Sequence, residues 1–208
     1  MAGNSIRNVG KYLHDRGYVT GDSLTVETGS GVRRLKLYTR NNRVTSVEVD
    51  MGRADFDPAS LPAATAEKRL VDAPLEVDGK EYRVTCLSVG TPHCVVFCKR
   101  VDTVDIERIG PLFENHALFP ERVNTEFVRV INKNMLKVRV YERSNGETLA
   151  CGTGACAAVA AAIENGYCAM GEDVTVKLRG GDLVVRCTED GVTLTGDSNL
   201  VYTGVVEY

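Results

Sequence analysis

No block of like charge, no long apolar run and no Cys-x-x-Cys pair occurs in these 208 residues, and each absence removes a class of function. The formal charge of −3 arises from 25 basic and 28 acidic residues spread along the chain, so neither nucleic acid nor a membrane surface is an expected partner. Apolar stretches stop well short of the roughly 20 residues a membrane helix needs. The N-terminus carries no signal-peptide pattern, and the expected location is the cytoplasm. There the seven cysteines, odd in number and irregular in spacing, read as free thiols. His14, His93 and His116 are too scattered to form a metal motif with them, so no metal is expected.

What the chain does contain is Glu147-Thr148-Leu149-Ala150-Cys151-Gly152-Thr153-Gly154-Ala155-Cys156, followed by an alanine-rich run to Gly166. Good helix formers behind a Gly-Thr-Gly turn place Cys151 at the first turn of a helix. Unpaired amides and the positive end of the helix dipole favour an anion there, so the thiol is expected to ionise more easily than an ordinary cysteine. A thiolate so placed serves as nucleophile or base; alternatively the same amides hold a substrate carboxylate. The plain alternative is a structural helix start with Cys151 as a small buried residue.

A second copy of the element shifts that balance. Ala2-Gly3-Asn4-Ser5 aligns with Cys151-Gly152-Thr153-Gly154 and, without a gap, Gly17-Tyr18 with Gly166-Tyr167. With one residue of slack, Leu24-Thr25-Val26-Glu27 then falls on Val174-Thr175-Val176-Lys177. Each copy reads as glycine turn, helix, Gly-Tyr stop and alternating strand, the pattern of a duplication facing itself across a cleft. Where one turn carries Cys151, the other carries Ala2.

In chain order, residues 4–16 read as a helix with Ile6, Val9, Tyr12 and Leu13 on one stripe. Strands follow at 24–27, 32–38 and 44–49, and a proline-bearing crossover at 51–66. A hairpin about Asp78-Gly79 joins 73–77 to 82–89, and a buried strand covers 94–98. Residues 104–116 read as a helix interrupted at Gly110-Pro111. A second hairpin, 125–132 and 135–141, turns at Lys133-Asn134. After the Cys151 helix come strands at 174–178, 183–186 and 192–194, and a final strand at 200–206. Strands outnumber helices without regular alternation, so the class is α+β: two pseudo-symmetric lobes of mostly antiparallel strands, each around a helix. The expected division is residues 1–50, joined by the final strand within 198–208, as one lobe and residues 51–197 as the other.

Four features at turns beside strands carry chemistry. Gly90-Thr91-Pro92-His93 offers an imidazole on a rigid turn, or is ordinary loop chemistry. Asn124 offers an amide to a ligand, or caps a strand. Glu142-Arg143 is an acid and base pair aimed into the cleft, or a surface ion pair. Cys151 with Gly152 and Thr153 is the fourth.

Taken together, Gly90-Thr91-Pro92-His93-Cys94-Val95, His116 to Pro120 with Asn124, Tyr141-Glu142-Arg143 and Gly146 to Ala155 resemble the diaminopimelate epimerase family, and Met1 to Arg7 is similar to that family's first active loop. The resemblance implies a cofactor-independent isomerase. In it, two cysteines flank the substrate α-carbon; a thiolate removes the α-proton and a thiol returns one from the far face. It implies that Cys151 is one base, that His93 and Glu142 assist proton movement, and that Gly152 and Thr153 bind the carboxylate. Asn124 and Arg143 would hold the distal groups, Gly3 and Asn4 would complete the opposite loop, and Thr91 stands in for a more usual asparagine. The implied reaction is LL- to meso-diaminopimelate, with a homodimer as the assembly often found in the family. Two departures stand out: Ala2 occupies the position of the second catalytic cysteine, and family members carry several dozen residues ahead of this loop, leaving an incomplete N-terminal lobe. The alternatives are a non-catalytic fragment completed by a partner, or a related amino-acid racemase.

Overall fold

The computed structural model describes residues 3–206. The described residues form three α-helices and twelve strands. Helix α1 (Gly3–Asp15) leads into β1 (Ser23–Thr28), β2 (Gly31–Arg40) and β3 (Arg43–Gly52). Next come β4 (Ala73–Val77), β5 (Lys80–Ser88), β6 (Pro92–Phe97), α2 (Ile106–Glu114), β7 (Asn124–Asn132), β8 (Met135–Glu142) and a short β9 (Gly146–Thr148). Helix α3 (Gly152–Glu164) then precedes β10 (Asp173–Leu178), β11 (Gly181–Cys187) and β12 (Val192–Asp197). One sheet runs β1-β2-β3-β12-β11-β10-β8-β7-β6-β5-β4, with β9 on β8. Among the described residues only β6 with β7 and β8 with β10 pair in parallel, so the architecture is α+β and mostly antiparallel.

The duplication is visible as geometry. Helices α1 and α3 are each 13 residues long and are followed by glycines in the left-handed region, Gly17 (φ 77°) and Gly166 (φ 75°). Each leads into a three-stranded meander, and the meanders join edge to edge through β3 and β12. The order β1-β2-β3-β12-β11-β10 therefore reads the same from either side of that seam. Two-residue turns at Asn41-Asn42 and Asp78-Gly79 have positive φ at both positions, the twist that tight hairpins prefer.

The seam also joins the two segments expected as lobes. One hydrophobic cluster takes Ile6, Leu35, Val47 and Val49 from the first segment and Val159, Val176, Val185 and Leu194 from the second. A separate cluster around α2 is built from Leu61, Leu75, Ile106, Phe113, Phe119 and Phe127. Every residue of α3 from Gly152 to Ala162 is buried, as befits a helix apolar all round. Alanine gives it both strong helix propensity and a slim cross-section, which lets strands close in on several sides.

Three sequence expectations need correction. The buried stripe of α1 is Gly3, Ile6, Arg7 and Gly10, whereas Val9 and Tyr12 are 41% and 53% exposed. Glycine explains this: a Cβ on Gly10 would come within 2.8 Å of the Leu35 side chain, so the helix lies on the sheet along its smallest residues. Helix α2 runs through Pro111 without interruption. Gly110 is needed there for close approach, because a Cβ would lie 2.3 Å from the Tyr141 ring. Residues 200–206 form no strand; they are an unpaired segment with Val201 and Val205 about nine-tenths exposed. Alternating apolar residues favour a strand only where an edge is available to pair, and 200–206 meets none among the described residues.

Candidate active site

The start of α3 is the point where both copies converge. Gly3 and Gly152 face each other: a Cβ on Gly152 would sit 3.5 Å from the Gly3 Cα, and one on either glycine would lie 3.1 Å from the Leu194 side chain. Only residues without side chains let the two helix N-termini approach so closely. Asn4, on the α1 side, is exposed. Ala2 lies outside the described residues.

Cys151 is the N-cap of α3, with extended backbone (φ −130°, ψ 117°) and its sulfur accepting the Gly154 N–H at 3.3 Å. The first intrahelical bond is Ala155 N–H to the Cys151 carbonyl, so the helix has no acceptor for the amides of Gly152 and Thr153. Thr153 Oγ1 stands 3.5 Å from the sulfur. The expectation of an easily ionised thiol is overturned. Burial of Cys151, 8% exposed, pushes its pKa up to about 12, and the Glu126 and Glu142 carboxylates push the same way. The hydroxyl of Thr153 and the Gly154 amide pull downward without prevailing. Desolvation of a thiolate outweighs two hydrogen bonds, so the resting group is the thiol.

His93, on β6, is fully buried. Its Nε2 lies 2.9 Å from Thr91 Oγ1 and its Nδ1 lies 2.8 Å from Glu126 Oε1. Parallel pairing of β6 with β7 sets His93 opposite Asn124, which puts Glu126 two residues further along the same face. Asn124 clasps two loops: its Nδ2 donates to the Pro92 carbonyl at 2.8 Å and its Oδ1 accepts the Arg143 N–H at 2.9 Å. Glu142 ends β8 and accepts the Thr148 hydroxyl. Arg143 donates to the Glu121 carbonyl, so Glu142 and Arg143 do not pair with each other. Glu114, at the end of α2, fixes the intervening turn by accepting the Ser144 N–H at 2.8 Å and Arg122 at 3.3 Å.

The residue missed by sequence reasoning is Glu126. Its side chain is fully buried, and Oε2 has no hydrogen-bond partner among the described residues. A Cβ on Gly154 would meet Glu126 Oε1 at 2.6 Å and Cys151 Sγ at 3.3 Å, so carboxylate and sulfur flank the same point. An unpaired buried polar group costs about 1–3 kcal/mol, and such groups concentrate where chemistry needs them. The available signal was weak: a glutamate two residues after Asn124 in a strand that continues into the apolar pair Phe127-Val128.

The family model for diaminopimelate epimerase matches residues 85–207. Diaminopimelate epimerases of Acetivibrio thermocellus and Desulfovibrio desulfuricans are 45% and 44% identical over 100% and 98% of this chain. The chain spans 74% and 73% of their lengths. Among solved structures, a hydroxyproline epimerase from Agrobacterium vitis has a TM-score of 0.69 at 16% identity, with 95% of this chain covering 63% of that one. A Bacillus anthracis phenazine biosynthesis protein of the PhzF family has a TM-score of 0.62 at 15% identity, covering 94% of this chain and 71% of its own. At such identities the structural likeness speaks for the fold alone. Sequence identity above 40% along essentially the whole chain speaks for more: the chain belongs to the diaminopimelate epimerase family, a family of isomerases.

Proposed function

We propose that this chain binds diaminopimelate across the facing helix N-termini and moves the α-proton through Cys151. The observation that carries this reading is the placement of a buried sulfur at the N-cap of α3, where the amides of Gly152 and Thr153 have no acceptor among the described residues and can meet the α-carboxylate. An amino-acid α-hydrogen is far less acidic than a thiol, so carbanionic charge needs fixed dipoles in a water-poor site, and two converging helix N-termini supply them. Cys151 rests as the thiol. To exchange hydrogen it first gives that proton to the carboxylate beside it, Glu142, and the thiolate so formed takes the α-proton, exchanges it with solvent and returns it to the same face. Glu142 and His93 assist the transfer, while Asn124 and Arg143 order the loops that would meet the distal end of the substrate. The family reaction is LL- to meso-diaminopimelate by two opposed bases. Ala2 stands where the repeat puts the partner of Cys151, and a methyl group carries no proton. The chain is therefore expected to exchange hydrogen on one face without inverting the centre. The reading includes the cytoplasm as location and a homodimer as assembly.

Incubating LL- and meso-diaminopimelate with the chain in heavy water tests this. Deuterium entering at the α-carbon with retained configuration supports it, and inversion by this chain overturns the one-base assignment. A related racemase acting on a smaller acid is separated by the same assay run with proline in place of diaminopimelate.

A further inference from the structure

Glu126 is more than a neighbour of the site. It stands in the middle of the sheet, on β7 between β6 and β8, and no part of its side chain reaches solvent. One oxygen is bonded to the imidazole of His93; the other has no hydrogen-bond partner among the described residues. An ionised carboxylate only accepts hydrogen bonds. The His93 nitrogen facing it is then the donor, and in a neutral ring Nε2 accepts from the Thr91 hydroxyl 2.9 Å away. The line Glu126–His93–Thr91 thus has one direction, with a proton on Nδ1 and a lone pair on Nε2, and it starts beside the point that Cys151 Sγ also flanks.

We propose that Glu126 is a positioning residue of the site: it fixes His93 in the Nδ1–H tautomer, with Nε2 turned to Thr91, and sets a negative charge behind Cys151 that keeps its sulfur protonated until substrate arrives. The inference rests on the reading of Cys151 as the proton-transferring group. The groups facing the sulfur are Glu126 from β7, Glu142 from β8 and Cys156 from its own helix; Arg7, from α1, faces Cys156. Of the charged groups, Glu126 pushes the Cys151 thiol up more than Glu142 does. A carboxylate that served only to hold the strands would have no reason to leave one oxygen unpaired in the sheet centre.

The test is spectroscopic and uses the whole chain. With histidine labelled at both ring nitrogens, nitrogen chemical shifts report the His93 tautomer, and peptide-resolved alkylation by iodoacetamide reports the ionisation of Cys151 as pH rises. The unsubstituted protein is expected to show His93 protonated at Nδ1 only. In Glu126→Gln the amide presents either oxygen or nitrogen to the ring, so a mixed tautomer is expected. There Cys151 should alkylate at lower pH, by about one unit, equivalent to about tenfold in rate at fixed pH. A His93 ring protonated at Nε2 in the unsubstituted protein, alone or together with Nδ1, overturns the proposal even if Glu126→Gln fails to fold. So does a folded Glu126→Gln in which tautomer and alkylation profile are unchanged. Neither readout uses substrate: absence of α-exchange with both expected signals present would sink the proton-transfer reading and leave the assignment of Glu126 standing.

Discussion

Helices α1 and α3 share length, glycine stop and following meander, yet only one is enclosed. Every residue of α3 from Gly152 to Ala162 is buried, while α1 touches the protein along Gly3, Ile6, Arg7 and Gly10 and turns Asn4, Ser5 and Val9 to solvent. The sequences explain the difference. Positions filled by alanine in α3 hold Asn8, Val9, Lys11 and Tyr12 in α1, side chains that keep strands away from that face. Enclosure has a chemical consequence: the N-cap thiol of the buried copy is desolvated and held as the thiol, with carboxylates behind it. The same fold element, repeated, carries a desolvated thiol at its N-cap in one place and is an anchored surface helix in the other.

Exchanging features between the copies should break this asymmetry. The largest effect is expected from Ala158→Leu, which forces three extra carbons into a fully buried position and costs about 3 kcal/mol. Its counterpart Val9→Ala should change stability by no more than about 0.5 kcal/mol. Urea midpoints of the two variants give the comparison, and equal shifts would contradict it. Gly154→Ala comes next. The added methyl meets Glu126 Oε1 at 2.6 Å, so a loss of about 1–3 kcal/mol is expected, whereas Ser5→Ala, at the matching exposed position of α1, should be nearly silent.

The smallest effect concerns how α1 is anchored. Asp15 accepts from Lys11 at 2.8 Å and from the Val44 N–H at 2.9 Å, and these bonds, outweighing the opposing effect of burial, hold its carboxyl down at about 2, from an ordinary 3.8. A carboxyl depressed on folding stabilises fully above its unfolded value and loses that contribution as pH falls toward its folded one. Asp15→Asn should therefore flatten the acid side of the stability curve between pH 3.8 and about 2. Denaturant titrations across that range check it; a slope identical to that of the unsubstituted chain would show that Asp15 does not anchor the helix.

Much of this arrangement was legible in the residues. Tight turns at Asn41-Asn42 and Asp78-Gly79, the Gly17 and Gly166 stops and the alternating strands are local signals, and they fall where the structure has them. The repeat was legible too, because it is a matter of spacing. What failed were judgements that depend on neighbours distant in sequence. Cys151 carries the local marks of an activated thiol, but its burial and the charges of Glu126 and Glu142 come from other elements. Glu126 itself acquires meaning only through the parallel pairing that brings β6 beside β7. The 200–206 segment has strand composition, and composition says nothing about a missing edge. Gly110, with Pro111, reads as a helix interruption until the Tyr141 ring that requires a glycine there is seen.

The sulfur of the enclosed helix is the group expected to handle the proton. Cys151→Ser keeps an N-cap acceptor for the Gly154 amide, so stability should shift by no more than about 1 kcal/mol. Rates of α-deuterium uptake by diaminopimelate, measured side by side for the unsubstituted chain and this variant, put the claim to the test. The expected result is measurable uptake that falls by at least about a hundredfold in Cys151→Ser; equal rates in the two proteins would contradict it.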